Sequence, residues 1–164
     1  MTRPILNIAD LEFRENEHGD TFASRIGFIG LKIGAQKLGY NVTVVPPGKR
    51  AFPRHNHRVN EEMFFVLKGE GEVRVGEERY PIRQGDVIAC PPGGPETAHQ
   101  IVNTSGSELK YLAVSTSMTP ELVDYPDSKK FGILADLGRG PDGTPQRFRF
   151  LGRADGSLDY YEGE

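Results

Sequence analysis

Apolar residues in this chain recur with a period of two, in runs closed by glycine or proline and too short for helices. Leu38, Tyr40, Val42 and Val44 share one parity, Glu72-Val73-Arg74-Val75 alternates, and Met63–Leu67 and Val87–Cys90 are apolar on both parities. Successive side chains of a strand point to opposite faces, so the first pattern marks a strand with one buried face and the last two mark strands covered on both. Pro46-Pro47-Gly48, Lys68-Gly69-Glu70-Gly71, Gln84-Gly85-Asp86 and the Pro91–Pro95 run separate these segments. Proline donates nothing to a strand ladder and glycine permits the turn. Twenty glycines and twelve prolines spread over 164 residues leave no long helical period. The expectation is a single all-β domain, a sandwich or small barrel.

The barrel core is expected over residues 38–118, with an N-terminal arm and first strand over 1–37 and an extended C-terminal tail over 119–164. The tail is rich in Gly, Pro, Asp and Arg, but Phe148, Phe150, Leu151, Leu158, Tyr160 and Tyr161 give it surface with which to dock on the barrel or a partner subunit. Strands apolar on both faces need an outer layer, which a homodimer would supply. A formal net charge of −3 leaves no basic footprint for nucleic acid. The single cysteine, Cys90, excludes an intrachain disulfide and a thiolate metal cluster, and suits a reducing cytoplasm. The N-terminal MTRPILNIADLEF lacks the apolar centre of a signal peptide, and no apolar run is long enough to cross a bilayer.

Chemistry concentrates between Gly48 and Gly69. His55 and His57, separated by Asn56, put both imidazoles on one face of an extended strand. Glu61 and Glu62 follow, and a turn at Arg58–Asn60 would bring a carboxylate back beside the histidines. His99 opens another short apolar run, so three of the four histidines fall in two places. Three imidazoles and a carboxylate form a mixed nitrogen and oxygen set suited to one divalent transition metal, Zn, Fe, Mn or Ni among them. His18 lies in a turn composition and is left outside the site. Cys90 reads as a buried small hydrophobe, Arg54 as facing away from His55 onto a solvated edge, Lys49 and Arg50 as edge residues, and Glu96 as an exposed loop carboxylate. Phe52, Phe64, Ile101 and Tyr111 read as core or pocket lining.

Gly48 through His55, His57 and Glu62 to Gly69 resembles the first motif of the cupin superfamily, with one extra residue between Gly48 and His55. Gly85 through Pro91-Pro92-Gly93 to His99 and Asn103 resembles the second, with the loop before His99 three residues longer than the family pattern. The two motifs and the strands between them cover about residues 38 to 115, and the whole is similar to small single-domain bacterial cupins. The resemblance implies a jelly-roll β-barrel, usually dimeric, with a metal held by His55, His57, Glu62 and His99. Strand parity also separates Glu62 from Glu61, placing Glu62 with Phe64 and Val66. Such a centre implies a metal-dependent enzyme acting on a small polar molecule, a dioxygenase, isomerase or lyase, or alternatively a non-catalytic module that binds or senses a small ligand.

Overall fold

The computed structural model describes residues 3–164 and is built almost wholly of strands. They are β1 (Arg14–His18), β2 (Phe22–Phe28), β3 (Leu38–Val45), β4 (Asn56–His57), β5 (Glu62–Lys68), β6 (Glu70–Val75), β7 (Glu78–Arg83), β8 (Val87–Cys90), β9 (His99–Val102), β10 (Leu109–Thr116), β11 (Glu121–Tyr125), β12 (Lys130–Arg139) and β13 (Pro145–Gly152). Only short 3-10 turns interrupt them. One sheet runs β1-β2-β3-β10-β5-β8, all antiparallel. The opposite layer consists of β7-β6-β9 and β4-β11-β12-β13. A single pair of backbone hydrogen bonds joins those two halves: His55 N–H donates to His99 O at 3.1 Å and His99 N–H to His55 O at 2.8 Å. The fold is the jelly-roll β-barrel that the motif resemblance implies, and it agrees with the sandwich or small barrel read from the strand pattern.

Inward-facing side chains of the two layers form one core. Val45, Phe64, Val66, Tyr111 and Ala113 of the first sheet pack against Val73, Ile82 and Ile101 of the second. Arg50 closes the side of the barrel through bridges to Phe22 and Val102. Gly69 makes the β5–β6 connection possible: its φ is +86°, and a Cβ there would lie 2.4 Å from Glu108 O.

The outer face of the first sheet is partly covered by the chain itself. Leu11 and Ile29 bury Val42, with Leu6, Phe13, Leu67 and Leu112 packed around them. This explains the apolar outward parity at Leu67 without a second subunit. The N-terminal arm also contributes β1, an edge strand whose five residues are all exposed, so no burial pattern marks it in the sequence. At the other end, residues 121–152 extend the second layer by strand pairing. β11 lies against β4, and β12 and β13 continue outward as a hairpin carrying Phe148, Phe150 and Leu151. No helix among the described residues is long and apolar enough to cross a membrane.

Candidate metal centre

The seam between the halves of the second layer places three histidines. The His55–His99 backbone bridge sets these two imidazoles side by side, with ring centroids 4.8 Å apart. His57 follows on the same face, 5.2 Å from His55 by ring centroid. Between them Asn56 points the other way and is fully buried, donating from Nδ2 to Gly93 O at 2.8 Å and to Asp124 Oδ2 at 3.0 Å. Glu62 opens β5 in the facing sheet, and its Oε2 lies 3.0 Å from His99 Nε2, 3.3 Å from His57 Nε2 and 3.7 Å from His55 Nε2.

The outward ring nitrogens fix which way two of these imidazoles present themselves. His55 Nδ1 is 2.8 Å from Pro53 O and His99 Nδ1 is 3.3 Å from Thr97 O. A carbonyl can only accept, so each Nδ1 carries the proton and each Nε2 of the neutral ring offers its lone pair. Those lone pairs face a carboxylate oxygen. Acceptor facing acceptor is unfavourable unless a proton or cation lies between them, and this arrangement is what a metal-binding imidazole with its other nitrogen held by the backbone requires. His57 is oriented differently. Its Nδ1 lies 3.5 Å from Glu121 Oε2, and neither ring nitrogen makes a well-formed hydrogen bond although both are buried. His55, Glu62 and His99 offer atoms all within 4.8 Å of one another, and His57, 3.3 Å from Glu62 Oε2, falls outside that set. The donor set therefore fits a divalent transition ion.

Electrostatics follow from that crowding. Burial works to raise the Glu62 pKa, but contact with His55, His57 and His99 holds it well below the ordinary 4.5. Burial works to lower His57, yet Glu62 and Glu121 together hold it above its ordinary 6.5. Phe64, 5.6 Å from the His99 ring and 5.6 Å edge-on to Tyr111, forms an apolar floor. Burial, reinforced by the Glu62 charge, pushes the Cys90 thiol up to about 12, which matches its reading as an inert core residue.

Two residues that the sequence reading passed over belong to the site. Glu121, only 4% exposed, takes hydrogen bonds from the backbone N–H groups of Arg58, Val59 and Asn60 at 3.1, 3.2 and 2.8 Å, and from Asn60 Nδ2. It thereby pins the turn that carries the chain from His57 to Glu62. Tyr125 stacks on His55 with ring centroids 6.1 Å apart. Glu121, Val123 and Tyr125 have strand periodicity, and this was the available signal, masked by neighbouring prolines.

The other candidates are occupied elsewhere. Arg54 does face away from His55, but onto a buried clamp and not a solvated edge. Its guanidinium pairs with Asp127 at 3.0 Å and Glu77 at 3.2 Å and donates to Gly76 O and Pro95 O. This holds the enlarged loop before His99, which forms a 3-10 turn over Pro95–Thr97. Lys49 donates to Asp20 O, while Arg50 contacts Gln100 and the Phe22 ring. Glu96 is exposed and accepts from Gly94 N within its own loop. His18 is exposed on β1.

With the fold and these distances in view, the decisive likeness is that residues 41–115 match the family model of the Cupin domain. These residues carry a cupin domain. The cupin sugar phosphate isomerase structure from Silicibacter pomeroyi is similar with a TM-score of 0.75 at 24% identity, over 96% of this chain and 98% of that one. An uncharacterized protein of Methanocaldococcus jannaschii is 33% identical over 72 residues, 44% of this cupin and 54% of the relative. The oxalate-binding protein of Thermotoga maritima is 34% identical over 70 residues, 43% of this cupin and 54% of the relative. This cupin thus matches about half the length of each of these curated relatives.

Proposed function

We propose that this cupin is a metal-dependent enzyme that holds one divalent transition ion on His55, His57, Glu62 and His99 and acts on a small polar molecule with chelating oxygens. The observation that carries the reading is the convergence of three imidazole Nε2 atoms on Glu62 Oε2 at 3.0 to 3.7 Å. An ion bound there supplies a Lewis acid for a carbonyl, carboxylate or hydroxy-carbonyl group. The chain supplies the surroundings. Pro53 O and Thr97 O hold the tautomers of His55 and His99, Glu121 restrains His57, and Phe64 and Tyr111 keep water from the floor. The Tyr125 ring beside His55 provides an amphipathic wall for the substrate.

A second reading, capture of a small ligand without turnover, draws on the relative named for oxalate binding. One experiment separates the two. Protein loaded with Mn²⁺, Fe²⁺ or Zn²⁺ is incubated with hydroxy-carbonyl compounds and dicarboxylates and followed by NMR. Product formation lost in His57→Ala supports the enzyme. Ligand-induced stabilisation without product from any compound rejects it in favour of the binding module.

A further inference from the structure

Four strands stand at free ends of the sheets: β1 and β8 in the first sheet, β7 and β13 in the opposite layer. A strand at such an end carries unpaired backbone donors and acceptors and invites another strand unless it is short, interrupted or guarded by charge. β8 has only four residues, and β7 is interrupted by Pro81. β1 and β13 lack both protections. Arg14–His18 pairs with β2 along its whole length and is exposed throughout, and in β13 the proline, Pro145, stands only at the first position. β13 also carries exposed Phe148, Phe150 and Leu151.

Charge decides what can pair with these two edges. β1 sets Glu15 and Glu17 on one face, and β13 sets Arg147 and Arg149 on one face at the same two-residue spacing. None of the four has an ion-pair partner among the described residues. Arg25, opposite Glu15, is taken by Glu108 at 2.5 Å, and Asp136, opposite Arg147, accepts from Gly138 N–H. Two copies of β1 aligned antiparallel about Asn16 would set Glu15 against Glu17. Two copies of β13 aligned about Phe148 would set Arg147 against Arg149. Like charges directly opposite work against both pairings, whereas β1 against β13 makes both positions attractive. With Glu15 opposite the partner's Arg149 and Glu17 opposite the partner's Arg147, the antiparallel register sets Asn16 beside the partner's Phe148 and Arg14 beside the partner's Phe150. Arg14 already stands over the Phe28 ring at 5.9 Å, and this places a second ring next to its guanidinium.

We propose that two copies of this chain form a closed two-fold dimer in which β1 of each pairs antiparallel with β13 of the other, Glu15 meeting Arg149 and Glu17 meeting Arg147. Each chain owns one acidic and one basic edge, so exchange in both directions uses all four edges and closes the assembly. The junction needs no metal. Through β12 and β11 it continues into β4, the strand of His57, so the partner braces the layer on which the metal centre is built.

Sedimentation velocity of the full metal-free chain, at micromolar concentration and low salt, should give one species of twice the chain mass. Glu15→Lys with Glu17→Lys makes both edges basic, and Arg147→Glu with Arg149→Glu makes both acidic. Each double variant should sediment as a monomer while keeping the wild-type circular dichroism. An equimolar mixture of the two should return to twice the chain mass, because each β1 then meets a β13 of opposite sign. With all native charges kept, a chain carrying Asn16→Cys and Phe148→Cys should oxidise to a disulfide-linked dimer, the native Cys90 being buried. A wild-type chain that stays monomeric, a dimer that survives both charge reversals, or a mixture that does not reassociate would overturn the proposal. Failure of the two new cysteines to link chains would overturn it independently of the charge variants, and growth of the wild type into open polymers would deny the two-fold closure.

Discussion

Replacing Glu121 by glutamine changes one oxygen into an amide nitrogen and nothing in volume, yet it should disturb both stability and the metal centre. The carboxylate receives four donors: Arg58 N and Val59 N at Oε1, Asn60 N and Asn60 Nδ2 at Oε2, with His57 Nδ1 at 3.5 Å from the same Oε2. Whichever way the new amide is turned, its NH₂ must face two of these donors. A buried donor that loses its acceptor costs about 1–3 kcal/mol, so two of them give about 2–6 kcal/mol, a large part of the stability of an ordinary domain. The turn at 58–60 links His57 to Glu62, and a restraint of this kind on a metal-binding histidine is worth about 10- to 100-fold in affinity. Urea unfolding of the metal-free protein and competition with a chromophoric chelator for Zn²⁺ read the two effects separately. If Glu121→Gln unfolds within about 0.5 kcal/mol of wild type and holds Zn²⁺ as tightly, the reasoning about this carboxylate is refuted.

Three further outcomes follow from buried groups. The Cys90 thiol, pushed up to about 12 and 2% exposed, has roughly one molecule in 10⁴ ionised at pH 8, so an aromatic disulfide reagent should label it only after unfolding. Labelling of the native protein at the unfolded rate would contradict its burial. Arg54→Ala removes the donors of Gly76 O and Pro95 O and should lower the urea midpoint by the equivalent of about 2 kcal/mol; an unchanged midpoint would mean that the clamp is idle. In the metal-free protein, Glu62 is held below 4.5, so its contribution is present above that pH and fades as pH falls beneath it. His57 is held above 6.5, so its contribution is present below that pH and fades as pH rises through its folded value. The stability difference between wild type and Glu62→Gln should therefore be largest between pH 4.5 and 6.5; a difference equal at pH 3.5, 5.5 and 8.5 would rule out the coupling.

A small all-β barrel or sandwich was legible because β3, β5, β6, β8 and β10 carry the period-two or doubly apolar patterns that burial on a sheet imposes, while the jelly-roll topology came from the motif resemblance. Parity also put His55 and His57 on one face and set Glu62 apart from Glu61, and their convergence followed once the chain was taken to turn at Arg58–Asn60. His99 was read as a third ligand because it opens a short apolar run, and the motif resemblance singled it out again, but its meeting with His55 depends on a backbone bridge that no local pattern announces. Glu121 and Tyr125 were missed because their strand is flanked by Pro120 and Pro126 and reads as a turn. The clamp on Arg54 was missed because its partners, Glu77, Asp127 and the Pro95 carbonyl, come from three separate loops, and a sequence does not show which loops meet. β1 was hidden by exposure of every one of its residues, which removes the burial signal while leaving the backbone pairing intact.

The central claim is that His55, His57, Glu62 and His99 together hold one metal ion. Crystals of untagged protein, measured on both sides of the Mn, Fe, Ni and Zn absorption edges, test it most directly. The account predicts one anomalous peak per chain among the three Nε2 atoms and Glu62, lost in crystals of His99→Ala. Full-length protein supplied with these ions that shows no peak there, or shows its peak at other residues, would contradict it.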